Sequence, residues 1–168
     1  MSDNKPFDFA SFVSANVGRI VSGFDYLHAV YKSQGLAADF ILWFARLFWP
    51  DFKTVDGMIF VSELFSAERY QELLSNGHSP TQAQFWMNLL EITGLFDDLP
   101  TDQALGIAES LANSWNSKLQ KELGISSPLA RAIVDEETGE VFVTIGTSDV
   151  EGAKIGTSDS CSDYKACN

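Results

Sequence analysis

Apolar residues in the first part of the chain return every three or four positions. Phe9, Phe12, Val13, Val17, Ile20, Val21, Phe24, Leu27 and Tyr31 keep this rhythm, which lines one face of a helix. The pattern predicts a helix over 8–34, with Asp8 at its start and Gly35 at its end. Gly18 and Gly23 lie inside it and each costs about 1 kcal/mol against alanine, so they mark where it bends or breaks. Residues 36–49 are apolar nearly all round and stop at Pro50. Such a helix is expected to be central and buried on several sides. Its aromatics Trp43, Phe44, Phe48 and Trp49 are expected mostly as core, the alternative being an exposed subset that anchors a partner.

The period then changes. Phe-Lys-Thr-Val, Asp-Gly and Met-Ile-Phe-Val over 52–61 predict a hairpin, because Asp-Gly supplies the positive φ of a tight type I′ turn. Ser66 opens a short helix that ends near Asn76 and Gly77. Ser79, Pro80 and Gln82 form a helix-start signal, and this helix is expected to reach about Thr93 and close at Gly94. Thr101 is expected to cap a long helix to Leu123, with the stripe Ala104, Ala108, Leu111, Trp115, Leu119 and Leu123 and a stop at Gly124. A second hairpin is expected over 131–145. The fold class is therefore α+β, predominantly helical, with about five helices and two short hairpins. The expected organisation is one globular domain over 1–146 and a polar Gly/Ser/Thr/Asp-rich tail over 147–168. Ile-Gly-Thr-Ser-Asp at 145–149 returns at 155–159, but two copies are too few for a stacked repeat.

Composition narrows the function classes. The chain has 168 residues, 45% hydrophobic and 20% charged, enough to bury a core without metal or disulfide staples. Twenty-three acids against eleven bases give a net charge of −12, which argues against direct binding to nucleic acid or to an anionic membrane. The most apolar run, 40–49, is ten residues long and includes Arg46, where a bilayer span needs about 20. No secretory signal is read at the amino terminus, so a cytoplasmic location is expected. The charge is uneven. Residues 1–53 balance, whereas 54–117 carry nine acids and only Arg69.

Signatures of catalysis are missing: there is no dinucleotide or phosphate-binding glycine motif, no paired-histidine zinc motif and no nucleophile elbow. His28 follows Asp25 by three residues, half of an acid–base pair, though an exposed helix histidine with a chance neighbour is the plainer reading. Asp97, Asp98 and Asp102, and likewise Asp51 and Asp56, are close in sequence. Carboxylates so placed hold Mg²⁺ in some proteins, but aspartate also belongs at turns and helix starts. Neither a metal nor a cofactor is expected.

These readings point to a non-catalytic, acidic binding protein, for instance an inhibitor or an immunity-type partner of a basic macromolecule. Asp56, Glu63, Glu68, Glu72, Asp97, Asp98 and Asp102 are its candidate contact residues, and homo-oligomerisation stays open. One alternative is a ribosomal peptide precursor or other modification substrate, whose tail residues Thr157, Ser158, Ser160, Cys161, Ser162 and Cys167 are acted on by a partner enzyme. Another is a small enzyme whose site no motif reveals. The tail offers only Val150, Ile155 and Tyr164 as sizeable apolar groups, too little to offset an ordering cost of about 1–2 kcal/mol per residue. Deleting 147–168 is therefore expected to leave helicity and melting temperature nearly unchanged in a circular-dichroism melt; an unfolded truncation would overturn the division.

Overall fold

A computed structural model describes residues 8–97 and 99–147. Among the described residues are seven α-helices, one 3₁₀ turn and five strands in two small antiparallel sheets, an α+β and predominantly helical fold. Contacts divide the chain into two compact units, with the division between Phe44 and Ala45.

The first unit holds α1 (Phe9–Ala15), α2 (Gly23–Gln34) and the beginning of α3 (Ala38–Phe48). The helix expected over 8–34 is thus two helices. Asp8 caps α1 by accepting the Ser11 N–H at 2.6 Å. Asn16 ends α1, its side-chain amide donating to the Phe12 carbonyl at 2.8 Å. Gly18 follows at φ +87°, a region an L side chain rarely enters. Gly23 does not break anything: it is the first residue of α2, because Ser22 and Asp25 form a reciprocal capping box just there. Tyr26 packs its ring against Phe9 and Phe12, with centroids 5.6 and 5.7 Å apart, and so joins α2 to α1. No residue of α1, α2 or α3 is buried. The expectation that the helix near 36–49 is buried on several sides is corrected: none of its residues is buried, Trp43 and Phe44 are exposed, and its last turn, at Leu47 and Phe48, packs on a core of the described residues.

The second unit begins with a hairpin, β1 (Phe52–Val55) and β2 (Met58–Val61), in the register Phe52 to Val61 and Val55 to Met58. Asp56 and Gly57 sit at φ +52° and +78°, the double positive φ of a type I′ turn. Next come α4 (Ala67–Ser75), capped by Ser66, and α5 (Pro80–Met87), capped by the Ser79 and Gln82 box. The helix expected to reach Thr93 stops at Met87. Leu90–Glu91 is instead a strand, β3, paired with Val143 and Phe142, and α6 (Ile92–Leu95) follows it. The long helix α7 (Thr101–Leu123) is preceded by Pro100, and no side chain caps it. Thr101 is its first residue and donates its hydroxyl to the Gly139 carbonyl at 3.3 Å rather than capping. The chain closes on β4 (Ala130–Val134) and β5 (Val141–Ile145), in the sheet order β3-β5-β4.

β5 is the middle strand and all five of its residues are buried. Alternation along it explains why. Val141, Val143 and Ile145 enter a cluster with Ala104, Ala108, Leu111, Trp115 and Leu119 of α7. Thr144, on the opposite face, donates to the Phe85 carbonyl of α5 at 2.7 Å. The α7 stripe thus packs as its spacing predicts, except that Leu123 is exposed. β2 also serves two clusters, with Ile59 and Val61 in the first and Phe60 in a second with Tyr70, Ala83 and Met87. Buried on both faces, β2 needs partners for the groups on its free edge. α5 supplies them: Gln84 Oε1 accepts the Ile59 N–H and Asn88 Oδ1 the Val61 N–H, both at 2.8 Å. Asn88 Nδ2 returns a hydrogen bond to the Ile59 carbonyl at 2.8 Å.

Asn88→Ala strands a buried donor and a buried acceptor on β2. It is expected to destabilise the protein by on the order of 3 kcal/mol in urea unfolding. A loss below about 0.5 kcal/mol would show that the edge finds other partners.

Candidate functional site

The structure places the six described sequence-predicted carboxylates on the surface. Asp56 is at the tip of the first hairpin, Glu63 in the 3₁₀ turn after β2, and Glu68 and Glu72 one turn apart on α4; all four are exposed. α4 and the hairpin share the second core cluster, through Tyr70, Leu73 and Leu74 on one and Val55, Met58 and Phe60 on the other. Asp97 and Asp102 are exposed near the start of α7, Asp102 in its first turn, where the helix dipole favours a negative charge. Asp98 lies outside the described residues, as do Thr157, Ser158, Ser160, Cys161, Ser162 and Cys167.

Both ion pairs found among the described residues go to Lys118, so none of these six carboxylates is in one. Glu68 and Glu72 stand at i and i+4, where like charges repel by a few tenths of a kcal/mol. A surface shaped for stability alone would intersperse the signs here. Asp56 also acts inward. Tyr70 is almost wholly buried, and its hydroxyl makes no hydrogen bond of ordinary geometry among the described residues. Burial first, and then the nearby Asp56 carboxylate, push the phenol above its ordinary pKa.

Other candidates resolve into structural roles. The Asp25 carboxylate accepts from the backbone N–H and hydroxyl of Ser22, both at 2.7 Å, and these bonds hold its pKa below the usual carboxylate value, with His28 contributing least. It caps α2. Asp51 accepts from Lys118 Nζ at 3.2 Å, and Glu122 lies 3.6 Å from the same nitrogen. Lys118 is 4% exposed. Its ammonium also lies 5.7 Å from the Trp49 ring centroid and 6.0 Å from that of Phe52. A buried lysine was not expected, yet the spacing held a signal: Lys118 follows Trp115 by three residues and Leu111 by seven, on the face that α7 buries. Among the described residues, no three His, Cys, Asp or Glu side chains gather as metal ligands, and no helix is long and apolar enough to cross a membrane.

A further surface feature belongs to the first unit. Twelve large apolar side chains between Phe9 and Phe44 are exposed, with Ile20, Val17 and Phe24 at 105%, 88% and 84%. Read as amphipathic periodicity alone, these residues pass for core. Comparison with protein family models, with curated proteins and with solved structures finds no match.

Tyr70→Phe removes a buried hydroxyl that makes no hydrogen bond of ordinary geometry among the described residues, so stability at pH 7 is expected to change by less than about 1 kcal/mol. Its pH dependence is more telling. The folded protein holds the phenolic proton more tightly than the unfolded chain does. That contribution is whole below about pH 10 and fades as pH rises toward the folded pKa. Denaturant unfolding from pH 8 to 11 is expected to show a steeper alkaline loss in the wild type than in Tyr70→Phe. Parallel curves would mean that Tyr70 ionises as it does in the unfolded chain.

Proposed function

We propose that the protein is a non-catalytic binding protein whose second unit engages a basic protein partner through its exposed carboxylates. One observation carries this reading: six exposed acids between Asp56 and Asp102 stand in no ion pair among the described residues. Residues 54–117 hold nine acids and one base, and uncompensated charge of one sign attracts an oppositely charged partner over a distance comparable to the Debye length. Glu68 and Glu72, one turn apart on an exposed face of α4, are the better anchor. α4 is fixed to the hairpin by one core cluster, so they need little ordering on binding. An inhibitor or immunity-type role suits such a surface, because acids opposite a basic groove speed the encounter and block the groove's own substrate.

Intact protein used as bait identifies the partner, and stopped-flow association then tests the reading. The rate constant for association is expected to fall by roughly tenfold or more between low and physiological ionic strength, while dissociation changes less. The pair Glu68→Lys with Glu72→Lys is expected to slow association several-fold and leave the melting temperature nearly unchanged, since both residues are exposed. Association insensitive to salt and to this pair would leave the acids with a role in solubility only.

A further inference from the structure

The outer edge of β4 is open over a short, defined stretch. Asp135 donates its N–H to the Glu140 carbonyl, and Leu129 accepts the Gly146 N–H. Positions 129, 131, 133 and 135 therefore face β5, and 130, 132 and 134 face away from it. Asn116 of α7 fills the first outward position: its Oδ1 accepts the Ala130 N–H and its Nδ2 donates to the Ala130 carbonyl, both at 2.8 Å. Ala132 and Val134 have no such partner. Among the described residues their N–H and C=O groups make no hydrogen bond across this edge, and both residues are only half-buried.

Sheets guard such edges with lysine, proline or a bulge. The first hairpin does so. β1 also turns alternate groups outward, at Phe52 and Thr54, but Lys53 lies between them. A second β1 pairing there would set two ammonium groups opposite each other, which is destabilising. Between Ala132 and Val134 stands Ile133, which repels nothing.

The charges flanking this stretch are unpaired. Arg131 is exposed, with its guanidinium 5.6 Å from the Phe85 ring centroid. Asp135 is 9% exposed, and its Oδ1 accepts the Glu137 and Thr138 N–H groups at 2.8 and 3.3 Å. Neither residue is in an ion pair among the described residues, although a carboxylate this buried is expected to have a cation beside it. Both side chains lie on one face of the strand. Four residues along a strand span about 13 Å, too far for the two to meet within one copy.

We infer that two copies of this chain join edge to edge through β4, antiparallel about Ile133. The outward groups are self-complementary in that arrangement: Ala132 of each copy exchanges both its hydrogen bonds with Val134 of the other. Ile133 meets Ile133, and Arg131 of each copy stands opposite Asp135 of the other, at about 4.5 Å between Cα atoms. Each unpaired charge thus finds its opposite. Sliding the register either calls on the Ala130 groups that Asn116 already holds, or sets Ile133 opposite Asp135. The two sheets become one, in the order β3-β5-β4-β4-β5-β3.

Sedimentation equilibrium of the intact protein across a concentration series is the test, at physiological ionic strength, where charges more than about 8 Å apart are largely screened. The expected result is twice the 18.5 kDa chain mass, falling to the chain mass on dilution. Ala132→Pro removes an N–H that faces away from β5, a place where an edge strand tolerates proline. Its circular-dichroism spectrum is expected to persist while its mass stays at that of one chain. Arg131→Glu, at an exposed position, is expected to weaken the dimer by roughly tenfold or more, because both cross-strand pairs turn repulsive. It carries the test alone if the proline variant unfolds. Lys53→Glu on β1 is expected to leave the dimer unchanged; loss of the dimer there would move the interface to the first hairpin and overturn the inference. A wild type that is monomeric throughout the series overturns it as well. If that monomer dimerises once 147–168 are deleted, the edge belongs to the chain's own tail. If instead Ala132→Pro abolishes capture of a basic partner, the edge belongs to that partner's strand. A dimer that survives both Ala132→Pro and Arg131→Glu also overturns the inference, because its interface then lies elsewhere.

Discussion

A strand buried on both faces cannot leave its edge open, and the second unit is built around meeting that requirement for β2. The hairpin has only two strands, so every second N–H and C=O of β2 would meet apolar side chains unless another element reached it. α5 reaches it with two amides one turn apart, Gln84 and Asn88, at the spacing of alternate strand residues Ile59 and Val61. Asn88 also donates to the Gln84 carbonyl at 2.9 Å, so the helix end and the strand edge share one donor. On its other side α5 accepts the Thr144 hydroxyl from β5. One helix therefore joins the hairpin to the three-stranded sheet, through polar contacts that fix register where apolar packing alone would allow sliding. Gly146 tightens the same region. A Cβ there would come within 2.6 Å of Gln84 Nε2, and its φ of +92° already excludes most side chains.

The elements legible in the sequence are those whose signal is local. Asp56-Gly57 specifies its turn, Ser66 and Ser79 their helix starts, and Gly35 and Gly124 their helix ends, each through the atoms of a few adjacent residues. The errors fall where distant residues decide. Leu90 and Glu91 continue a helical pattern, but pairing with Val143 and Phe142 draws them into a sheet fifty residues away in sequence. Thr101 has the chemistry of a cap, yet its hydroxyl is used on the turn at Gly139. The candidate carboxylates were legible as residues, since acid-rich composition shows in any count. The approach of Asp56 to the Tyr70 phenol was not, because packing of the hairpin on α4, not sequence proximity, brings the two together. The α2 and α3 faces misled for a physical reason: periodicity reports that a face is apolar and says nothing of what covers it.

The two units therefore present opposite kinds of surface. The first is nearly neutral and apolar, and the second carries the acid excess among the described residues. Apolar association is short-ranged and strengthens in salts such as sulfate that are excluded from protein surfaces. Attraction to a basic partner is long-ranged and weakens as any salt screens it. Contacts made by the exposed apolar side chains of the first unit are therefore expected to strengthen with added sulfate, whereas attraction through the exposed acids of the second unit weakens with it.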